Sequence, residues 1–196
     1  MGIGDPVMRP AVFLDRDGVL NRAFVRGGKP HPPQTMSELE ILPQVPEALT
    51  RLRAAGFLLV VVTNQPDVAR GTTTSEKVHE INAELLAQLP LDTILTCYHD
   101  EADDCACRKP KPGLLLQARD AFDIDLSRSF MVGDRWKDIE AGRNAGCRNI
   151  YIDYHYDEDR PASDSVDFTC ASLNEAVNWI LSPAEQRVEV QCQSNI

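Results

Sequence analysis

The stretch AVFLDRDGV, residues 11–19, decides how the rest of the chain is read. Four apolar residues run into Asp15, and Asp17 and Gly18 follow at once. A short apolar run that gives out at a polar turn is the pattern of a buried strand. The pattern recurs. FLLVVVTN (57–64) is a near-continuous apolar run ending in Thr63 and Asn64. DTILTCYH (92–99) is a third, SFMVGD (129–134) a fourth ending on Asp134, NIYID (149–153) a fifth and VDFTC (166–170) a sixth. Strands that are apolar on both sides belong to parallel sheets covered by helices.

Helical periodicity fills the gaps between these runs. In residues 45–57, Val45, Leu49 and Leu52 share a face and Gly56 is a stop signal. In residues 73–89, Val78, Ile81, Leu85 and Leu89 are in register, and residues 113–124, 138–146 and 172–181 read the same way. Strand and helix alternate throughout, which predicts an α/β fold with a doubly wound, Rossmann-like parallel sheet. Right-handed crossovers bring every strand's C-terminal end to one edge, where ligands bind in such sheets. Asp15, Thr63, Asn64, Asp134 and the loop after Cys97 should therefore converge. No segment is long enough for a large cap domain. The expected organisation is one domain over residues 1–182, a metal-binding loop at 97–107, and a flexible tail at 183–196. RGGKPHPPQT (26–35) reads as an irregular loop beside the first strand.

Composition narrows the function. The 196 residues are 43% hydrophobic and 26% charged, with a formal net charge of −10. That balance disfavours a nucleic-acid binder, which needs a positive footprint. It leaves room for a small anion held by local cations. No apolar run approaches the roughly 18 residues of a membrane span, and no apolar h-region follows the N-terminus. Gly2 invites a myristoylation reading, but Pro6 stands where Ser or Thr is required. The expectation is a cytoplasmic monomer with a small-molecule partner and no membrane. Cys147 and Cys170 flank strands and read as core thiols, and Cys192 as incidental.

Asp15 and Asp17 admit two readings. One is a plain turn, since Asp and Gly commonly end strands. The other is a nucleophile and an acid/base pair. A carboxylate can attack phosphorus, and a second carboxyl can protonate the leaving oxygen and then activate water. Two such charges near a phosphate dianion call for a cation, and Mg²⁺ suits carboxylate and phosphate oxygens. Other strand ends supply matching parts: the Thr63 hydroxyl for a phosphoryl oxygen, Lys109 as a fixed cation, Arg108 as a phosphate or substrate contact, and Asp134 for the metal, with Asp138 one turn on.

CYHDEADDCAC (97–107) has the spacing C-x-H-x5-C-x-C, at Cys97, His99, Cys105 and Cys107. Three thiolates and an imidazole match a closed structural Zn²⁺ site. A redox role is disfavoured because C-x-x-C is absent. Arg108 and Lys109 follow Cys107 directly, so fixing that sulfur fixes their backbone.

DRDGVLN, VVTNQ, RKPKPG and VGDRWKD, in that order over residues 11–153, resemble the four motifs of the haloacid dehalogenase superfamily of phosphatases. The resemblance implies Asp15 as nucleophile, Asp17 as acid/base, and Thr63 and Lys109 on the phosphoryl group. It implies Mg²⁺ held by Asp15, the Asp17 backbone carbonyl and Asp134. The zinc loop with DRDG and TNQ resembles the subgroup that acts on heptose bisphosphates and on histidinol phosphate. TNQPDVARG (63–71) and KPKPG lean toward a heptose bisphosphate, while the short zinc loop leans toward histidinol phosphate. Pro66 and Asp67 depart from that subgroup's Ser-Gly. Arg26 and Lys29 read either as grips for a second, distal phosphate or as solvated loop cations. Asn64 is a further substrate contact. The alternatives are a histidinol-phosphatase and, from another class, an inactive zinc-loop binding module. A nucleic-acid 3′-phosphatase is disfavoured by the acidic balance.

Overall fold

The structure is a computed structural model and describes residues 8–183. Gly2, Cys192 and the expected C-terminal tail lie outside the described residues, apart from Pro183.

Six strands form one parallel sheet: β1 (Ala11–Leu14), β4 (Leu58–Asn64), β5 (Thr93–Cys97), β6 (Phe130–Gly133), β7 (Arg148–Ile152) and β8 (Phe168–Cys170). Their order across the sheet is β5-β4-β1-β6-β7-β8, and every neighbouring pair is parallel. Alternate residues of the central strands face opposite layers. Val12 and Leu14 of β1 and Leu59 and Val61 of β4 pack under α1 (Val45–Ala54), α2 (Ser75–Gln88) and α5 (Leu173–Leu181). Ala11 and Phe13, with Val60 and Val62, pack under α3 (Gly113–Phe122) and α4 (Trp136–Ala145). Each of these buried valine, leucine and phenylalanine side chains contributes about 1.5–3 kcal/mol. This double burial is why the strands read as unbroken apolar runs. Cys147 and Cys170 are buried in the two layers as expected.

The chain builds outward from β1 on one side, through α1 and α2, then returns through α3 to the other side. β1 and β6 are therefore adjacent strands whose connections leave in opposite directions. The crevice above them is a topological switch point, and Asp15 and Asp134 are the first residues past their ends.

Two expectations need correcting. Residues 26–35 are not irregular throughout. Phe24–Arg26 (β2) and Lys29–His31 (β3) pair as an antiparallel hairpin around Gly27 and Gly28, both at positive φ. A Gly-Gly turn at positive φ is what a two-residue hairpin needs. The alternation of Phe24, Val25 and Arg26 was too short to show against the neighbouring prolines. The fourth helix also begins two residues early, at Trp136, because Asp138 caps it: its Oδ2 accepts from the Arg135 backbone N–H at 3.0 Å.

Candidate active site

Asp15 follows β1 directly, with its carboxylate buried and Oδ1 accepting from Lys109 Nζ at 2.7 Å. Lys109 is 2% exposed and reaches in from the loop after β5. Its ammonium also donates to the Val62 carbonyl at 2.7 Å and pairs with Asp138 Oδ1 at 2.6 Å. Burial pulls the Lys109 pKa down, but Asp138 and Asp15 more than offset this, so it stays charged. The loop that carries it is clamped by Asn64: Lys109 N–H donates to Asn64 Oδ1 at 3.1 Å, and Asn64 Nδ2 donates to the Lys109 carbonyl at 3.0 Å.

One lysine does not balance the acids around it. Asp15, Asp134 and Asp138 offer oxygens within 4.8 Å of one another. Burial first, then the charges of Asp138 and Asp17, raises the Asp15 pKa to about 6 despite Lys109. Asp134 is pushed well above the carboxylate range, by burial first and then by Asp15 and Asp138. Both Asp134 oxygens are buried without a hydrogen bond of normal geometry, though the Tyr156 hydroxyl is near enough to lower its pKa. Buried carboxylate oxygens this short of donors are what a hard cation would satisfy. Asp138 spends one oxygen on Lys109 and the other on the Arg135 N–H, whereas Lys109 meets Asp15 at Oδ1, so Asp15 and Asp134 are the side chains that best fit Mg²⁺.

Gly18 makes room for this arrangement. Its φ is +90°, and a Cβ there would lie 1.9 Å from Asp134 Oδ2. Gly18→Ala is therefore expected to displace Asp134 and to strain the turn by about 1–2 kcal/mol. Differential scanning with a Mg²⁺ titration checks this: a lower Tm and a much smaller Mg²⁺-induced rise are the expected results.

Asp17 lies two residues on, and donors surround its carboxylate. It accepts from Arg16, from Asn21 Nδ2 at 3.0 Å and from Gln65 Nε2 at 2.8 Å. Asp15 and Asp17 line a cavity of about 320 Å³ with Asn64, Arg108 and Lys109, and its walls add Lys29, His31, Arg70, Arg135 and Lys137. Thr63 is 1% exposed and sits beneath the lining, where its hydroxyl accepts from Gln65 Nε2 at 2.9 Å. Asn64 faces the cavity, but its amide is spent on the Lys109 backbone. Lys29 reaches the wall from β3. Arg26 is exposed and stands outside the lining.

The cysteine loop stands at the cavity's edge. Cys97 Sγ is 3.2 Å from Cys107 Sγ and 3.7 Å from Cys105 Sγ, Cys107 and Cys105 are 3.4 Å apart, and His99 Nδ1 is 3.3 Å from Cys107 Sγ. Tetrahedral Zn²⁺ with bonds of about 2.3 Å would separate its sulfurs by about 3.8 Å. The donor set and spacing fit that ion, with all four positions filled by protein. Arg108 packs back on the loop, donating to the His99 carbonyl at 3.1 Å.

Several wall and support residues were not singled out from the sequence. Arg135 pairs with Glu158, Lys137 with Glu101 at 2.8 Å, and Arg70 with Asp100 at 2.7 Å. Exposed and half-buried charges carry no sequence signal for a shared cavity. Asn82 did carry one: it is a polar residue among the buried positions Val78, Ile81 and Leu85 of α2.

A family model for haloacid dehalogenase-like hydrolases matches residues 33–146. A D-glycero-beta-D-manno-heptose-1,7-bisphosphate 7-phosphatase of Pasteurella multocida is 40% identical over 156 residues, which cover 74% of this chain and 82% of that one. The protein of the same name from Helicobacter pylori is 34% identical over 178 residues, 87% of this chain and 96% of that one. Among solved structures, a D,D-heptose 1,7-bisphosphate phosphatase from B. bronchiseptica, complexed with magnesium and phosphate, matches with a TM-score of 0.75 at 28% identity. That match covers 88% of this chain and 98% of the other. With the motifs gathered at one sheet edge and relatives of this similarity, the chain belongs to the haloacid dehalogenase-like hydrolases.

Proposed function

We propose that this protein is a Mg²⁺-dependent phosphomonoester hydrolase that works through an aspartyl-phosphate and removes the 7-phosphate of a D-glycero-D-manno-heptose 1,7-bisphosphate. The observation that carries the chemistry is Asp15: a buried carboxylate, oriented by Lys109, on a cavity whose lining mixes cations with acids. The named substrates of the similar proteins and the cations beyond Lys109 support a bisphosphate. Arg108, Lys137 and Lys29 stand on the walls where a second phosphate would need charge.

Asp15 attacks phosphorus, and the bond from phosphorus to the sugar oxygen breaks. Asp17 gives its proton to the departing oxygen. A water then loses its proton to Asp17 and attacks the phosphorus, and Asp15 is released with inorganic phosphate. Lys109 holds Asp15 in place and faces the charge on the transferring group. Mg²⁺ held by Asp15, Asp134 and the Asp17 carbonyl would supply charge neutralisation between the carboxylates and the phosphoryl oxygens. Zn²⁺ held by Cys97, His99, Cys105 and Cys107 would be structural. Thr63 would act only after a shift that brings its hydroxyl to the cavity floor.

Comparing kcat/KM for the two heptose bisphosphate anomers and for histidinol phosphate tests the substrate. The heptose bisphosphate is expected to be preferred by more than about tenfold, a difference of about 1.4 kcal/mol in transition-state binding. A tenfold preference for histidinol phosphate would overturn the assignment.

A pH effect follows from the acid cluster. Asp15 keeps its proton to about 6 rather than 3.8. Between these values the folded, metal-free protein binds more protons than the unfolded chain. Its stability contribution therefore falls as pH rises through that window. Mg²⁺ needs the ionised carboxylate and so competes with the proton. Calorimetry is expected to show a clear Mg²⁺-induced rise in Tm at about pH 7.5 and a much smaller one at about pH 5. Equal rises would count against Asp15 as a ligand.

A further inference from the structure

Among the described residues, the largest fully buried side chain is Arg16, at 0% exposure. A buried guanidinium is costly unless it is charge-matched and hydrogen-bonded. Here both conditions are met in one direction. Arg16 Nε donates to Asp17 Oδ1 at 3.1 Å, and Nη2 donates to Asp17 Oδ1 and Oδ2, both at 3.0 Å. Nη1 donates the other way, to Asn82 Oδ1 at 3.0 Å. Asn82 is itself buried on α2, and its Nδ2 donates to Thr96 Oγ1 on β5 at 3.0 Å. The Leu20 and Asn21 N–H groups close the turn onto the Arg16 carbonyl at 2.9 and 3.2 Å, which bends two adjacent side chains into one fork.

Asn21 and Gln65 each hold one oxygen of Asp17, whereas Arg16 spans both, and Arg16 is itself held by a hydrogen-bond chain rooted in α2 and β5. A buried arginine and a polar residue on the apolar face of α2 are costly to keep, and what they hold in place is the Asp17 carboxyl. We propose that Arg16 is a positioning residue for Asp17. The Thr96–Asn82–Arg16 chain holds the Asp17 carboxyl where it can pass its proton to the leaving oxygen. This rests on Asp17 acting as the acid. In that step the Asp15–phosphorus bond forms, the bond to the leaving oxygen breaks, and that oxygen keeps the electron pair and takes the Asp17 proton.

Leaving-group chemistry separates positioning from general loosening. An alkyl alkoxide needs the proton as it departs, while p-nitrophenolate does not. The experiment compares Arg16→Met, Asn82→Ala and Asp17→Asn, with Mg²⁺ present, by kcat/KM for a sugar phosphate and for p-nitrophenyl phosphate. A small misplacement of an acid can cost about 100-fold. Arg16→Met is expected to lose about that on the sugar phosphate, and about tenfold less on the aryl ester. Asn82→Ala should show the same bias with a smaller loss, and it decides alone if Arg16→Met does not fold. If Asp17→Asn is biased while the other two variants slow both substrates equally, or neither, the positioning role is overturned. If Asp17→Asn itself shows no bias, the acid assignment falls and the positioning role with it.

Discussion

Asp15→Asn is expected to lower kcat by about 10⁴-fold or more with every phosphate ester tried, while leaving the protein folded. The amide keeps the size and one acceptor of the carboxylate but cannot form the acyl phosphate. Lys109 would retain Asp138 Oδ1 and the Val62 carbonyl, so its loop stays anchored. The same substitution removes a charge that burial and the nearby Asp138 and Asp17 already oppose. The metal-free variant should melt at the same temperature as the parent or higher, a stability gained where activity is lost. Calorimetry and a generic phosphatase assay on the same sample check both halves. Retained turnover would remove Asp15 from the chemistry. Lost turnover with a collapsed fold would say only that the residue is structural.

Removing the Zn²⁺ proposed for the cysteine loop is expected to have the second-largest effect. Cys107 is followed directly by Arg108 and Lys109, and the Ala106 carbonyl accepts from the Gly113 N–H at 3.1 Å at the start of α3. The four donors therefore run from the last residue of β5 to the residue before Arg108 and Lys109, the proposed phosphate contacts. Without a metal, three sulfurs and an imidazole crowd together with no disulfide to join them. Supporting shells of this kind typically change activity by about 10–100-fold when broken, and structural zinc contributes directly to folding. Verified zinc removal should lower kcat/KM within about that range and lower Tm by several degrees, both restored by added Zn²⁺. Cys107→Ala should show the same losses without rescue. If activity and melting are unchanged after zinc is shown to be gone, the Asn64 clamp alone holds Lys109.

The parts of the site visible in the sequence were those tied to strand ends. Asp15, Asp134 and Lys109 follow apolar runs or a dense cysteine pattern, so topology alone brings them together. The sheet was legible for the same reason, since each strand buried on two faces leaves an unbroken apolar signature. The hairpin at residues 24–31 was not legible, because three-residue strands carry too little periodicity and Pro30 argues against one. Arg26 and Lys29 looked equivalent in sequence, yet the hairpin turns only Lys29 to the cavity wall. The orientation of Asp17 was invisible as well. It rests on Arg16, Asn21 and Gln65 together, and Arg16 is held in turn by Asn82, 66 positions away along the chain, across the layer between α2 and the sheet. Asn64 shows the complementary limit: its place beside the site was readable, but its commitment to the Lys109 backbone was not.

The covalent role of Asp15 is the centre of the account, and trapping tests it most directly. Asp17→Asn slows the attack of water on the acyl phosphate, so acid quenching during turnover of an aryl phosphate with Mg²⁺ should preserve the adduct. Mass spectrometry of the peptide spanning residues 11–22 should then show one phosphoryl group, on Asp15. Product release with no adduct on that peptide, or an adduct on any other side chain, would contradict it.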